Sequence, residues 1–319
     1  MNAALELRLK IESREVLHPE FVTHFTKLKQ RVDDTLNGLA PRIEWMTGPT
    51  RVGKSMLRRA LAREYPETRV AGRRQVPVLA VTLLPGVTSK LLPSMLLSEL
   101  GVPLPQRGLS SGAMVNRLVD QLRLSQTRVI FIDEASHLVE PGSRLAPRAA
   151  GDWFKDLHDR LGATLILSGV PRLQRLFESN EQLRLRSSSR REFRNYSWQA
   201  VEEQRSFAVC VFTYAELFKE AGWPIELPLE TLVKHCYLLS GGLVGVLSRF
   251  MEELAAQVTD IAPRPLTFED CRAAAAGIES AGHPLCPAFE RVDVAAVELS
   301  QAYGHVLEEN ELSARRRIT

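Results

Sequence analysis

Gly48-Pro49-Thr50-Arg51-Val52-Gly53-Lys54-Ser55 fits the pattern G-x-x-x-x-G-K-[ST]. A short apolar run, Ile43 to Met46, precedes it, and Met56 to Tyr65 reads as a helix behind it. The glycines let backbone amides approach phosphate oxygens with no Cβ in the way. Those amides, with the N-terminus of the following helix, form an anion-binding nest. Lys54 is placed to reach β- and γ-phosphates, and Ser55 offers a hydroxyl to Mg²⁺. Gly48, Pro49, Thr50, Arg51, Val52, Gly53, Lys54, Ser55 and Met56 are therefore the candidate nucleotide-binding residues.

The second half of such a site lies about 80 residues downstream, in Arg128-Val129-Ile130-Phe131-Ile132-Asp133-Glu134. An apolar strand delivers Asp133 to the end of a sheet, where a carboxylate can hold Mg²⁺ through water. Glu134, directly after it, can orient and polarise an attacking water, so the pair predicts hydrolysis as well as binding. Ser168 ends a further strand and is a candidate contact to the γ-phosphate or the attacking water. The catalytic candidates are thus Lys54, Glu134 and Ser168, joined below by an arginine, and the metal candidates are Ser55 and Asp133.

Around these motifs strands and helices alternate. Val76–Leu84, Val129–Ile132 and Thr164–Ser168 read as buried strands, and Phe193–Trp198 as a short fifth. Leu91–Leu100, Ala113–Leu124 and Trp153–Leu161 read as helices. This alternation implies an α/β fold with a mostly parallel sheet covered on both faces. After Trp198 the pattern turns helical, with Val201–Ala221, Pro228–Leu239, Gly242–Val258 and Thr267–Ile278, the last opened by a Thr267/Asp270 capping box. The expected division is 1–198 for the nucleotide-binding αβα domain with an N-terminal extension, 199–280 for a helical lid, and 281–319 for a tail that binds a partner and contains an apolar helical stretch, Val292–Leu307. A length of 319 residues suits about two domains at roughly 150 residues each.

Composition narrows the class further. Hydrophobic residues make up 45% and charged residues 25%, an ordinary globular balance that excludes a disordered or collagen-like chain. The net charge of +3 neither demands nor excludes a nucleic-acid partner. No stretch has the 18 or so apolar residues of a membrane helix, and Glu6, Arg8, Lys10 and Glu12 leave no signal-peptide core, so the protein reads as cytoplasmic with no membrane partner. Cys210, Cys236, Cys271 and Cys286 form no C-x-x-C pair and read as reduced, buried thiols.

Charge is clustered locally. Arg172, Arg175, Arg184, Arg186, Arg190, Arg191 and Arg194 crowd the segment after the fourth strand, against Glu178, Glu181 and Glu192. An arginine presented to a neighbouring subunit's nucleotide would stabilise transition-state charge. Arg186 leads, followed by Arg190 or Arg191. Lys90 and Arg107 flank the helix after the second strand and are the candidate DNA-backbone contacts; Arg315-Arg316-Arg317 close the chain as a candidate tether. His18 to Phe21, ahead of the first strand, is a candidate adenine enclosure, with core packing the alternative for Phe21.

In order, the phosphate loop, the D-E strand, the arginine-bearing segment and the helical lid resemble an AAA+ ATPase, and more narrowly the TniB/TnsC family of transposition regulators. The narrower likeness rests on His18-Pro19, on Val78–Leu84 with Pro85, and on Lys90–Leu100 ending in Gly101-Val102-Pro103. Asp133-Glu134-Ala135-Ser136-His137-Leu138, Leu167-Ser168-Gly169-Val170-Pro171, Glu181-Gln182-Leu183-x-x-Arg186 and Ser240-Gly241-Gly242-Leu243-Val244-Gly245 complete it, over about residues 16 to 280. Leu243, Val244 and Val246 stand where other AAA+ proteins often carry a lid arginine, and Ser187-Ser188-Ser189 follows Arg186 in place of the family's R-F-x. The trans finger therefore falls on Arg186, Arg190 or Arg191. The resemblance implies ATP and Mg²⁺ as ligands, and head-to-tail self-assembly into a ring or helical filament on double-stranded DNA without strong sequence preference. It also implies target selection with a TniQ-type protein, recruitment of a DDE transposase, and disassembly on hydrolysis. The alternatives are an AAA+ helicase loader or protein remodeller, and a scaffold that uses ATP only as glue. Intact Lys54, Asp133 and Glu134 argue against the last.

Overall fold

The computed structural model describes residues 3–13, 16–104, 108–259 and 262–312. Two compact units emerge. One is built from 23–48 and 54–193, the other from the two ends of the chain together with loop residues 49–53.

The first unit is an αβα sandwich. Strands β1 (Ile43–Thr47), β4 (Val78–Thr82), β5 (Val129–Asp133), β6 (Thr164–Gly169) and β7 (Arg191–Glu192) form a five-stranded sheet in the order β4-β5-β6-β1-β7. All pairings are parallel. Every residue of β1, β5 and β6 is buried, the continuous run expected of parallel strands covered on both faces. Helices α3 (Lys54–Glu64), α4 (Leu91–Glu99), α5 (Ser111–Leu124) and α6 (Pro147–Leu161) fill the crossovers. Leu118, Leu122, Phe154 and Leu157 from these helices pack with Leu79, Ile130, Ile132 and Leu165 of the strands.

Register places the site. Met46 lies opposite Ser168, and Ile132 opposite Leu167, so β1, β5 and β6 end together at the carboxyl edge. Strand β6 separates the loop strand from the Asp133 strand. Ligands of open α/β sheets bind at this edge.

The fifth strand differs from expectation. It is Arg191–Glu192 rather than Phe193–Trp198, because its pairing with β1 ends when the Phe193 amide reaches the Thr47 carbonyl at 2.8 Å. Asn195 and Tyr196 bond Gly241 and Gly242 instead. Other elements fall where none was expected. Helix α2 (Pro19–Leu36) opens on a proline and buries Phe21, Leu28 and Val32. A two-stranded hairpin joins β2 (Thr68–Val70) to β3 (Arg73–Gln75) through Ala71 and Gly72, both at positive φ.

The helical unit contains α9 (Val201–Ala221), α10 (Leu229–Ser240), α11 (Val244–Gln257) and α12 (Phe268–Ala276), close to the expected spans and with the Thr267/Asp270 capping box in place. Two short helices, α7 (Gln174–Glu178) and α8 (Glu181–Arg186), belong to the sandwich. The division differs from 1–198, 199–280 and 281–319 at both ends. Helix α1 (Ala3–Ser13) sends Ala4, Leu7 and Ile11 into the helical core, an apolar face at helical spacing. The segment after 280 does the same with Phe289 and with Leu299 and Ala302 of α13 (Ala296–Glu309). Phe289 stacks on His235 at 4.7 Å and on Phe250 at 5.3 Å. The His235 ring accepts from the Phe289 amide and donates to the Val292 carbonyl, and burial pushes its pKa down. All four cysteines are free and buried in this unit. No single helix among the described residues is long and apolar enough to cross a membrane.

Candidate active site

Strand β1 runs into the loop, and α3 begins at Lys54. The Gly48 amide bonds the Gly169 carbonyl at 3.1 Å, tying the loop's start to the end of β6. Gly53 sits at φ +116°, a backbone that a side chain would strain. Arg51 adopts φ +64°, the left-handed region that non-glycine residues enter at a cost. Val52 is buried, and Ser55 and Met56 lie half-buried on the first turn of α3.

Lys54 is buried, and its Nζ donates to the Gly48 carbonyl at 2.9 Å. Burial pushes its pKa down, against the attraction of Glu134 and Asp133. Asp133 is fully buried at the end of β5. Its Oδ1 accepts from the Ser168 hydroxyl at 2.6 Å and from the Glu134 amide at 3.0 Å. Its Oδ2 has no hydrogen-bond partner. Ser168 is a candidate contact to phosphate or water; in this structure its hydroxyl proton goes to Asp133. Glu134 adopts φ +54°, ψ +32° as the N-cap of a 3-10 turn at Ala135–Leu138, and its side chain is half-buried. A left-handed glutamate costs about 1 kcal/mol and marks a position held by its surroundings. That turn packs on Gly169, where a Cβ would come within 2.9 Å of the Ser136 amide.

A fully buried carboxylate oxygen that makes no hydrogen bond fits a hydrated cation, so Asp133 and the Ser55 hydroxyl suit Mg²⁺. Sequence reasoning missed Arg58. It lies one turn after Lys54 on α3, and its Nε is 3.8 Å from Asp133 Oδ2 without a hydrogen bond between them. The i,i+4 spacing from Lys54 was the available signal.

The arginine candidates all have partners within the chain. Arg186 ends α8, whose N-cap Asn180 accepts from the Leu183 amide, and it clasps both oxygens of Asp159 at 3.0 and 3.2 Å. Arg190 bonds Gln174 and Glu192. Arg191 bonds Glu44 at 3.1 Å, and Arg31 meets the same carboxylate at 2.8 Å. Glu44 is fully buried on β1. Burial raises its pKa, but the Ser188 hydroxyl, Arg191 and Arg31 outweigh that and hold it below the usual 4.5. Arg191 is thereby tied to a fully buried strand carboxylate, whereas Arg186 pairs with an exposed one, Asp159. Glu44→Ala should lower stability by about 3 kcal/mol, because it takes the buried carboxylate away from Arg191 and leaves Arg31 with only Asp34, at 3.5 Å. The check is a lower denaturant midpoint at unchanged slope. In the wild type this contribution is present above the ordinary carboxylate pKa and fades as pH falls through the depressed one.

Lys90 is exposed at the N-cap of α4. Arg107 and Arg315 to Arg317 lie outside the described residues. His18 does not stand open for a base. It is buried and its ring bonds the Tyr196 hydroxyl at 2.7 Å, while Phe21 packs inside. The β2–β3 hairpin exposes Arg69 and Arg73, a basic feature the sequence reading passed over because Ala71-Gly72 is a weak turn signal.

Comparison with known proteins decides the family. The model described as "Bacterial TniB protein" matches residues 17–196, more than half of the chain. The chain belongs to the TniB family. No curated protein matches it. Among solved structures it is similar to Cdc6p from Pyrobaculum aerophilum, at 14% identity, TM-score 0.63, covering 97% of this chain and 86% of that one. It is also similar to the Aeropyrum pernix ORC2 protein, solved as ADPNP-ADP complexes, at 14% identity, TM-score 0.60, covering 91% and 74%. A third is the Aeropyrum pernix ORC1 protein in complex with DNA, at 18% identity, TM-score 0.54, covering 85% and 69%. The fold is the AAA+ P-loop arrangement of a parallel αβα sandwich followed by a helical unit.

Proposed function

We propose that this TniB-family protein is an Mg²⁺-dependent ATPase that assembles head to tail on duplex DNA, as a ring or helical filament, and regulates DNA transposition. The observation that carries the reading is the cluster at the carboxyl edge: Lys54 and Asp133 buried, Asp133 oriented by Ser168, and Glu134 beside it. Lys54 binds the β- and γ-phosphates. Ser55 and Asp133 hold Mg²⁺, which supplies charge neutralisation on the phosphates. Glu134 accepts a proton from the attacking water. Arg186 or Arg190, donated to the next subunit's nucleotide, stabilises transition-state charge and makes hydrolysis depend on assembly.

DNA binding is supported by family membership and by Lys90, a cation at the positive end of a helix, where a polyanion relieves an unfavourable charge. A protein of similar fold was solved on DNA. Assembly then selects a target with a TniQ-type protein and recruits a DDE transposase, and hydrolysis disassembles it. Phosphate release from purified protein should rise on adding duplex DNA of arbitrary sequence and lose that stimulation steeply with salt. Stimulation by a protein such as a replicative helicase, with none by duplex DNA, would contradict the reading and favour a loader or remodeller.

A further inference from the structure

The phosphate-binding loop is held from a direction that no motif announces. Asn310 is the C-cap of α13, and its Oδ1 accepts a hydrogen bond from the Thr50 amide at 3.3 Å. Its Nδ2 donates back to the Val306 carbonyl at 2.8 Å, which fixes the side-chain orientation. One residue on, the Arg51 carbonyl accepts from the Gly245 amide at 3.0 Å, at the start of α11. A Cβ on Gly245 would come 2.4 Å from that carbonyl, so only glycine lets helix and loop meet. The same helix α13 packs on the preceding glycine turn, where a Cβ on Gly241 would meet Val306 at 2.4 Å and the Ala302 carbonyl at 2.8 Å.

We propose that Asn310 is a positioning residue for the phosphate-binding loop, and that docking of α13 and nucleotide binding are thermodynamically linked through it. The proposal rests on the nucleotide-binding reading above. Arg51 is left-handed, the peptide directly after it is tied by α11 through the Arg51 carbonyl, and the Pro49–Thr50 peptide shortly before it is tied by α13 through the Thr50 amide. A loop already held in shape loses less conformational freedom when phosphate binds, so the tie appears as affinity. Linkage is reciprocal: if docked α13 favours nucleotide, nucleotide favours docked α13. A partner that pulls on the C-terminal helix would then loosen nucleotide, and loading nucleotide would tighten the helix.

The test uses the full chain and Mg²⁺-ATP. Asn310→Ala should weaken ATP binding about three- to tenfold, the worth of one hydrogen bond. Nucleotide-free melting should stay within a degree or two, and hydrolysis should show a raised KM with kcat within about twofold. In the wild type, ATP should slow amide exchange over 299–310 several-fold. A purely structural Asn310 would move none of these nucleotide-dependent readouts. Equal ATP affinity in variant and wild type, or α13 exchange indifferent to nucleotide, would overturn the proposal while leaving the nucleotide site intact. If the variant misfolds, the wild-type exchange measurement decides alone. Failure of the wild type to bind ATP at all would overturn the underlying reading together with the proposal.

Discussion

Glu134→Gln is expected to cut phosphate release about a hundred- to ten-thousandfold while ATP still binds at least as tightly as in the wild type. The substitution keeps the side chain's size and removes the carboxylate that takes the proton from water. The backbone at 134 is left-handed and bonded to Asp133 through its amide, and glutamine makes the same amide bond. Folding and the Asp133 orientation should therefore be unchanged. Removing a negative charge near the phosphates favours the bound nucleotide. The variant should accumulate in its ATP form and its DNA assemblies should persist after free ATP is diluted. Single-turnover phosphate release with titration of a fluorescent ATP analogue measures both effects. Unchanged phosphate release would remove Glu134 from the chemistry and return the protein to the class of nucleotide-sensing scaffolds.

Lys54→Ala should act on the other step. It is expected to weaken ATP binding about a hundredfold, the upper range for a lost charge-assisted contact. The ammonium is buried and attracted by the charges of two carboxylates, so its loss also leaves Asp133 and Glu134 with less compensating charge. Arg58, near Asp133 Oδ2, offsets part of that deficit, so the protein should remain folded. Affinity by titration and melting temperature, measured together, separate the two consequences. A variant that binds ATP normally would show that Lys54 does not reach the phosphates.

Much of the site was readable because chemistry and chain order coincide. The loop, the β5 run ending in Asp133-Glu134, and the strand ending in Ser168 each place an apolar strand before a polar residue, and sheet register does the rest. The role of Ser168 was harder to read, since its hydroxyl bonds a carboxylate 35 positions away in the chain. The arginine cluster was visible as composition only. Which arginine is fixed depends on Asp159 and Glu44, distant acidic partners with no local signal. The helical unit was legible in its middle, and the helix near 292–307 was legible too, but not that both ends join the same core. Ala4, Leu7 and Ile11 are a modest apolar face among charges, and Phe289 is a single aromatic in an irregular segment, so burial of either shows only in three dimensions. Asn310 was silent for the same reason, being one polar residue 260 positions from the amide it meets.

The central claim, an ATP-gated assembly on DNA, is tested most directly by the mass distribution of the protein on short duplex DNA. Three conditions suffice: wild type with ATP, wild type with ADP, and Lys54→Ala with ATP. Large DNA-bound assemblies are predicted for wild type with ATP alone. Assemblies that form equally in all three conditions, or no DNA binding in any, would contradict the account.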